Sequence, residues 1–166
     1  MAIGENIKNI LLTGTSGFLG GHIKSHLNGQ SSRWRIFVIA NQEEFESFEE
    51  KFVNQRFDVV IHSGFSIDFQ TSKSMDAYKN IENTRRVLKF AEERGASYAI
   101  FLSAAGTLGV SKNDQVRNED HFGKTDPDFI DYLNTQYIQD KIACQKIVDD
   151  LSLPAVTLYL TTVYGR

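Results

Sequence analysis

Tyr137 and Lys141 are the two residues whose types and spacing most directly suggest chemistry. They lie four positions apart in a stretch with helical periodicity, so their side chains would share one face of a helix. A nearby ammonium group favours the phenolate and lowers the pKa of a tyrosine from about 10 toward a value useful for proton transfer. Such a pair can arise by chance, but its place on the helix after a predicted strand favours a general acid/base site.

A glycine-rich turn near the start of the chain indicates a second site. Gly14, Gly17 and Gly20 follow the apolar run 10–13 and precede an amphipathic segment. In such a turn the first glycine permits a tight reversal, the second lets a pyrophosphate approach the backbone, and the third lets the helix pack on its strand. The helix N-terminus then attracts the anion. The residues predicted to bind the diphosphate are Gly14, Ser16, Gly17, Phe18, Leu19 and Gly20.

The glycine-rich turn has two alternative interpretations. A phosphate-loop NTPase is excluded, because no lysine follows the last glycines where that motif requires one. A flexible glycine-rich loop is the remaining alternative, and the strand before the turn and the helix after it count against that alternative. The turn therefore predicts a dinucleotide site.

The elements that would position these residues alternate along the chain. Strands are predicted over 10–13, 34–40, 58–62, 98–103 and 155–160, and helices up to Asn28 and over 45–53, 81–94 and 131–151. Asn41 and Glu44 resemble a helix-capping box. This alternation predicts an α/β fold with a doubly wound parallel sheet, and the length predicts a single dinucleotide-binding domain over residues 1–166. Ligands bind such sheets beyond the carboxyl ends of the strands.

Composition excludes several other function classes. The 18 basic and 21 acidic residues give a net charge of −3, and no basic block suggests a nucleic-acid partner. The single cysteine, Cys144, excludes an internal disulfide and a cysteine metal cluster. No apolar run approaches the roughly 18 residues that a membrane span needs, and residues 1–9 lack a signal-peptide pattern. We therefore expect a cytoplasmic protein that binds a small molecule, with no metal, nucleic acid or membrane.

Several motifs together resemble the extended short-chain dehydrogenase/reductases, a family that includes nucleotide-sugar epimerases, dehydratases and reductases. The resemblance covers nearly the whole chain. It is carried by Thr13-Gly14-x-x-Gly17-x-x-Gly20, by Asp58-Val59-Val60-Ile61-His62, by Asn80-Ile81-Glu82-Asn83-Thr84, by Tyr137 with Lys141, and by Thr161-Thr162-Val163-Tyr164-Gly165. It implies a Rossmann-like NAD(P)-binding domain, with a C-terminal substrate domain that we expect this chain to lack.

The resemblance also implies roles for single residues. Tyr137 would be the general acid/base, and Lys141 would lower the tyrosine pKa and hold the nicotinamide ribose. Further cofactor contacts are expected from Asn41, Gly64, Phe65 and Asn80. Family members pair across a two-fold axis through helices that correspond to 81–94 and 131–151. A homodimer is therefore expected, with Ile138 and Ile142 as an apolar spot on its surface.

The sequence departs from the family pattern at functional positions. Ala104 stands where the family carries a catalytic Ser or Thr, so Ser103 or Thr107 would have to hold the reacting oxygen. Loss of one such donor can lower the rate by about 10²–10³. The carboxylate expected after the second strand is replaced by Asn41, and no arginine there would recruit a 2′-phosphate. NAD is weakly preferred over NADP. Thr162 replaces an Asn common in nucleotide-sugar enzymes.

Two functions from different classes follow. The first is an NAD(P)-dependent epimerase, dehydratase or reductase that transfers hydride at a carbinol carbon of a nucleotide-sugar or similar substrate. The second is a catalytically defective NAD(P)-binding module with a regulatory or scaffold role. Four other residues have structural interpretations: His62 ends a buried strand, Cys144 continues an apolar stripe, and His22 and His26 share a solvated helix face.

Overall fold

The computed structural model describes residues 7–66, 75–110, 116–125 and 127–164, and its centre is a five-stranded, all-parallel sheet. The strands are β1 (Lys8–Thr13), β2 (Trp34–Ile39), β3 (Val59–His62), β4 (Tyr98–Ala104) and β5 (Ala155–Leu160). The α-helices are α1 (Phe18–Asn28), α2 (Gln42–Lys51), α3 (Met75–Glu93), α4 (Ile130–Leu133) and α5 (Gln136–Asp149). The order β2-β1-β3-β4-β5 confirms the predicted doubly wound fold.

The strand order reverses at β1. β2 pairs with one edge of β1 and β3 with the other, so that Thr13 lies beside both Ile39 and His62. The chain after β1 leads to β2, whereas the chain after β3 leads to β4. The two connections therefore diverge at the carboxyl end of the sheet and leave a crevice between them. The glycine turn after β1 lies at the mouth of this crevice, where doubly wound sheets bind ligands.

Both faces of the sheet are covered. Leu11 and Leu12 are adjacent in β1 and must point to opposite faces, yet both have no exposed surface. Leu11 belongs to the larger core, which also includes buried residues of α2, α3 and α5, whereas Leu12 belongs to a smaller core that contacts Ile23 and Leu27 of α1. The central strands are therefore apolar without alternation, as parallel strands buried on both faces require.

Phenylalanines fill much of the larger core. Six rings contact one another with centroid distances of 5.2–6.2 Å, mostly edge-on, and they belong to Phe37, Phe45, Phe48, Phe52, Phe57 and Phe90. Three of them recur at helical spacing along and just beyond α2, as the sequence predicted. Val53, grouped with them in that prediction, lies past the helix end and is 46% exposed.

The N-terminus of α2 lies at the carboxyl end of the sheet, where ligands bind, and the C-terminus of α3 lies at the opposite end. The backbone N–H of Glu44 donates to Asn41 Oδ1 (3.1 Å), and Glu44 Oε2 accepts from the N–H of Ala40 (2.6 Å). The capping box is thus formed, with its return bond one residue earlier than in the usual motif. α3 ends at Glu93, just before Gly95, whose φ of +89° suits glycine.

The single helix predicted over 131–151 is wrong, because the structure contains two helices. α4 ends at Leu133, and α5 begins at Gln136 with Thr135 as its extended N-cap. Asn134 and Thr135 are residues that favour caps and turns over helix interiors, which is the physical reason for the break. Tyr137 therefore lies in the first turn of α5. Over the described ranges, no helix is long and apolar enough to cross a membrane.

Candidate functional site

The three glycines of the turn after β1 meet different constraints. Gly14 has φ of +73°, and a Cβ there would lie 2.5 Å from the Cα of Gly64. A Cβ on Gly20 would overlap the carbonyl oxygen of Gly14. A Cβ on Gly17 would lie 3.3 Å from that same oxygen, which the chain could accommodate. The first and third glycines are thus required by the protein's own packing, whereas Gly17 leaves space toward the crevice.

A first cavity of about 250 Å³ opens between the glycine turn and the ends of β2 and β3. Its lining residues are Gly14, Ser16, Gly17, Ala40, Asn41, Gln42, Phe45, Ser63, Gly64, Phe65, Ser66, Asn80 and Asn83. None of these residues carries a charge. Its polar groups are hydroxyls and amides, which suit a ribose and a base better than an additional phosphate.

A second cavity of about 330 Å³ lies on the other side of the turn, at the ends of β4 and β5. Its lining residues are Gly14, Gly17, Phe18, Leu19, Gly20, Ser63, Phe65, Leu102, Ser103, Ala104, Tyr137, Lys141, Leu160, Thr161 and Val163. The two cavities share Gly14, Gly17, Ser63 and Phe65. A two-part ligand whose middle lies at the glycine turn would therefore place one part in each cavity.

Lys141 is buried at the floor of the second cavity. Its Nζ donates a hydrogen bond to the carbonyl oxygen of Leu102 (2.8 Å) and lies 3.8 Å from the centroid of the Phe65 ring. The residue is only 5% exposed. Burial lowers the pKa of the Lys141 ammonium to about 8, while nearby Cys144 has a smaller, opposite effect.

Tyr137 lines the same cavity as Lys141 and is half-buried. Its ring packs edge-on against Phe65, with 5.6 Å between the two centroids. Because Tyr137 lies in the first turn of α5 and Lys141 one turn later, both side chains reach the cavity from one helix face. The predicted acid/base pair is therefore brought to one place, beside the ends of β4 and β5.

The two candidates for holding the reacting oxygen, Ser103 and Thr107, differ in their surroundings. Ser103 is 4% exposed, lines the second cavity, and its Oγ has no hydrogen-bond partner. Thr107 has no exposed surface, and its hydroxyl donates to the carbonyl oxygen of Ala104 (2.7 Å). Ala104 lines the cavity but offers only a methyl group. A buried hydroxyl without a partner is unusual, and this makes Ser103 the better of the two hydroxyl candidates.

His62 forms part of a buried chain of hydrogen bonds. Its Nδ1 is 2.7 Å from Thr13 Oγ1, and its Nε2 is 2.9 Å from Thr84 Oγ1. Thr13 Oγ1 accepts from the N–H of Gly64, and Thr84 Oγ1 donates to the carbonyl oxygen of Asn80. Burial, together with the charge on Lys141, lowers the pKa of His62 to about 3. This neutral, fully bonded histidine fits the structural interpretation.

Asn80 holds the segment after β3. Its Oδ1 accepts from the N–H of Ser66 (2.8 Å), and its Nδ2 donates to the carbonyl oxygen of Ser66 (2.9 Å). Asp140, the residue before Lys141, is also buried and accepts from Gln136 (2.6 Å) and from Asn80 (3.4 Å). These bonds connect α3, α5 and the segment that carries Phe65.

The predicted cofactor residues all line one of the two cavities. Asn41, Gly64 and Asn80 line the first, Leu19 and Lys141 the second. Of the predicted catalytic residues, Tyr137, Lys141 and Ser103 line the second cavity, and Thr107 lines neither. Gly165, part of the last family motif, lies outside the described residues.

Several lining residues were missed by sequence reasoning. Phe45 was assigned only to the core, although it lines the first cavity as well. Asn83 lines that cavity and donates to Gln42 Oε1 (2.8 Å). The signal for Asn83 was its position in the Asn80–Thr84 motif, less than one helical turn after Asn80.

Two histidines on α1 do not form a further site. The ring of His22 is hydrogen-bonded to the carbonyl oxygen of Phe18, and that of His26 to the side chain of Gln30. Among the residues that the structure describes, no group of three or more His, Cys, Asp or Glu is placed to hold a metal ion.

The fold and the paired cavities define a class: a doubly wound domain with a dinucleotide-type crevice. The model of the NAD dependent epimerase/dehydratase family matches residues 10–166, and the chain therefore belongs to this family. The resemblance to extended short-chain dehydrogenases drawn from the motifs is confirmed. No curated protein matches the chain by sequence.

Solved structures with the same fold are distant in sequence. The Bordetella bronchiseptica enzyme WbmH, solved with NAD+, is similar at a TM-score of 0.78 and 19% identity, covering 96% of this chain and 57% of its own. The UDP-glucose 4-epimerase of Thermotoga maritima, solved with UDP-glucose, is similar at a TM-score of 0.71 and 22% identity, and the match covers 95% of this chain and 56% of that protein. The UDP-N-acetylglucosamine 4-epimerase of Bacillus cereus is similar at a TM-score of 0.72 and 18% identity, and the match covers 95% of this chain and 62% of that protein. The chain thus spans a little over half the length of these proteins.

Proposed function

We propose that residues 1–166 form a single dinucleotide-binding domain of an NAD(P)-dependent epimerase, dehydratase or reductase of the extended short-chain dehydrogenase type. The observation that carries this proposal is the position of the glycine turn between two cavities, with Tyr137 and Lys141 in only one of them. A diphosphate at the turn would place adenosine in the first cavity and nicotinamide beside Tyr137.

The roles of the residues follow from this placement. Tyr137 takes the hydroxyl proton of the substrate carbinol, and Ser103 donates a hydrogen bond to the same oxygen. Lys141 stabilises the phenolate and binds the nicotinamide ribose. When bound at the glycine turn and Lys141, the cofactor would supply the hydride acceptor that allows the carbinol carbon to become a carbonyl carbon. Two proteins of similar fold were solved with UDP or UDP-glucose, which supports a nucleotide-sugar as substrate.

NAD is preferred over NADP in this proposal. No charged residue lines the first cavity as described, so the 2′-phosphate of NADP would be desolvated without a cation partner. The preference is weak, because no carboxylate lines this cavity to bind the ribose hydroxyls of NAD. Neighbouring structures were solved with NAD.

Calorimetric titration of the chain with NAD+, NADH, NADP+ and NADPH tests cofactor binding directly. We expect NAD+ and NADH to bind and the two 2′-phosphorylated nucleotides to bind more weakly. Absence of binding by all four, in a sample that is folded by circular dichroism, would reject the dinucleotide site.

A catalytically defective NAD(P)-binding module is the second candidate, and Ala104 favours it. The methyl group of Ala104 lines the cavity where a hydroxyl is expected, and the Thr107 hydroxyl is directed to the backbone. Ala104→Ser separates the two candidates. Product analysis by chromatography, with NAD+ and a panel of UDP-hexoses, measures turnover, because an epimerase or dehydratase returns the hydride and leaves no net NADH; absorbance at 340 nm adds the reductase case. Turnover by the wild-type chain supports the enzyme, and turnover by the variant alone supports the defective module.

A further inference from the structure

Phe65 occupies the junction of the two cavities. It is one of four residues that line both, and it is the only large side chain among them. Its ring lies over the ammonium of Lys141 at 3.8 Å and against the ring of Tyr137 at 5.6 Å. The Phe65 side chain therefore covers Tyr137 and Lys141, the proposed proton-transfer pair, and also lines the first cavity, where adenosine is proposed to bind.

The backbone on both sides of Phe65 is held in place. The N–H of Gly64 donates to Thr13 Oγ1 (2.9 Å), which ties the preceding residue to the end of β1. Both backbone polar groups of Ser66 bond the side chain of Asn80. Asn80 is itself buried against Asp140 of α5. Because hydrogen bonds hold both neighbours, we expect the ring to leave Lys141 by rotation of its own side chain.

The contact with Lys141 restrains the ring and the ammonium together. A buried ammonium is stabilised by an aromatic face in place of water. Here Nζ has the Leu102 carbonyl as a hydrogen-bond partner and Phe65 as its nearest aromatic face, while Phe101 lies farther away at 5.2 Å. A ligand hydroxyl that approaches Nζ across the face covered by Phe65 must displace that ring.

We propose that Phe65 is a specificity-determining residue that divides the site, so that an adenosine diphosphate group enters with the ring in place, whereas the nicotinamide half must displace the ring from Lys141. The inference rests on the proposed dinucleotide function. A site whose binding-competent conformation is a minor one binds its ligand with reduced apparent affinity. Dinucleotide binding is then weakened relative to ADP binding, and Lys141 is exposed only when the nicotinamide ribose is present.

Phe65→Ala tests this inference by calorimetry with ADP and NAD+. We expect the variant to bind NAD+ about 10-fold more tightly, equivalent to about 1.4 kcal/mol, and to bind ADP within twofold of the wild type. Phe65→Leu keeps apolar bulk against the core but removes the aromatic face, so an intermediate gain is expected. Phe122→Ala is the matched control, because this ring packs on Tyr159 and lines neither cavity, and both affinities should stay unchanged.

The outcomes separate this inference from the proposed function. If wild-type protein binds ADP and NAD+ but Phe65→Ala leaves their affinity ratio unchanged or weakens NAD+ selectively, the dividing role is overturned and the dinucleotide site stands. If the wild type and the Phe65 variants bind neither nucleotide, the proposed function fails and the inference fails with it. Should Phe65→Ala not fold, the Phe65→Leu ratio decides by the same criteria.

Discussion

At the residue scale, the glycine turn shows how identical residues can be required for different reasons. Gly14 and Gly20 are needed because the turn, the segment after β3 and the start of α1 approach one another closely. Gly17 has an ordinary φ of −83° and lacks a severe contact for an added Cβ. Its requirement would come from the ligand, which separates folding from binding within one motif.

Substitutions at Gly20 and Gly17 should therefore have opposite effects, one on the stability of the fold and the other on NAD+ affinity. Gly20→Ala should lower the free energy of unfolding by about 1–3 kcal/mol, because its Cβ would overlap the Gly14 carbonyl. Gly17→Ala should remain folded but lose about 10-fold or more in NAD+ affinity, because an added Cβ would take up space where the two cavities meet at the proposed diphosphate position. Urea unfolding and calorimetry measure the two effects. Equal stability losses in both variants would contradict the assignment of Gly17 to the ligand.

Lys141 illustrates a residue kept at a cost to stability. Burial lowers the pKa of its ammonium to about 8, so at neutral pH the folded chain holds a charge that it solvates poorly. Such a group is typical of a functional site.

Lys141→Met should stabilise the chain and remove any turnover. At pH 7 we expect the free energy of unfolding to rise by about 1–3 kcal/mol, because a buried charge is replaced by an apolar side chain of similar length. Between about pH 8 and 10.5 the advantage should shrink, since the unfolded wild-type chain then binds a proton that the folded chain lacks. Lys146→Met is the control, because Lys146 is exposed on the same helix. A less stable Lys141→Met at pH 7 would contradict this account.

At the element scale, the bonds through His62 connect three parts of the fold. Thr13 ends β1, His62 ends β3, and Thr84 lies on α3. This arrangement fixes the ends of two adjacent strands and the helix that crosses behind them, and so sets the width of the crevice. It works only with a neutral imidazole that donates at one nitrogen and accepts at the other.

The free energy of unfolding should therefore decrease as the pH is lowered through a defined range. The pKa of His62 is about 3 in the folded chain against 6.5 for a free histidine, so between these values only the unfolded chain binds this proton. The free energy of unfolding should decrease as pH falls from 6.5, by up to ~1.4 kcal/mol per pH unit. Urea unfolding from pH 7 to 5 measures this slope. His62→Gln should flatten it, whereas His26→Gln, on an exposed position, should leave it unchanged.

At the scale of the whole molecule, the predicted homodimer remains a prediction, and one of its premises is wrong. Ile138 is 2% exposed and belongs inside the chain, so it cannot form an apolar spot on the surface. The outer face of α3 instead carries two ion pairs, Arg85 with Glu82 and Lys89 with Glu93. A dimer through this face would depend on charge rather than on apolar area.

Such a dimer should weaken with salt. We expect light scattering to give about twice the 18.8 kDa chain mass at low ionic strength, with a shift toward the monomer as salt shortens the Debye length from about 30 Å at 0.01 M to about 3 Å at 1 M. Arg85→Glu should shift the low-salt mass toward the monomer. A mass that is monomeric at all salt concentrations would remove the predicted dimer.

The alternation of strands and helices was predictable because central parallel strands and the phenylalanine face of α2 carry strong local patterns. The break between α4 and α5 was missed, since the cap at Thr135 competes with a continuous helical pattern that looks unbroken in sequence. The different environments of Ser103 and Thr107 depend on a tight turn after β4 that has no periodicity to reveal it.

The order of amino acids alone determined the doubly wound fold, the glycine turn and the pairing of Tyr137 with Lys141, because each depends on neighbours within a few positions along the chain. Only the tertiary structure decided that Phe65 lies between two cavities and covers Lys141. These residues come from separate parts of the chain, and their contact depends on how α5 packs against β4 and on where the segment after β3 lies. The physical reason is that local periodicity in the sequence determines individual helices and strands, whereas the shape of a site depends on how those helices and strands pack together.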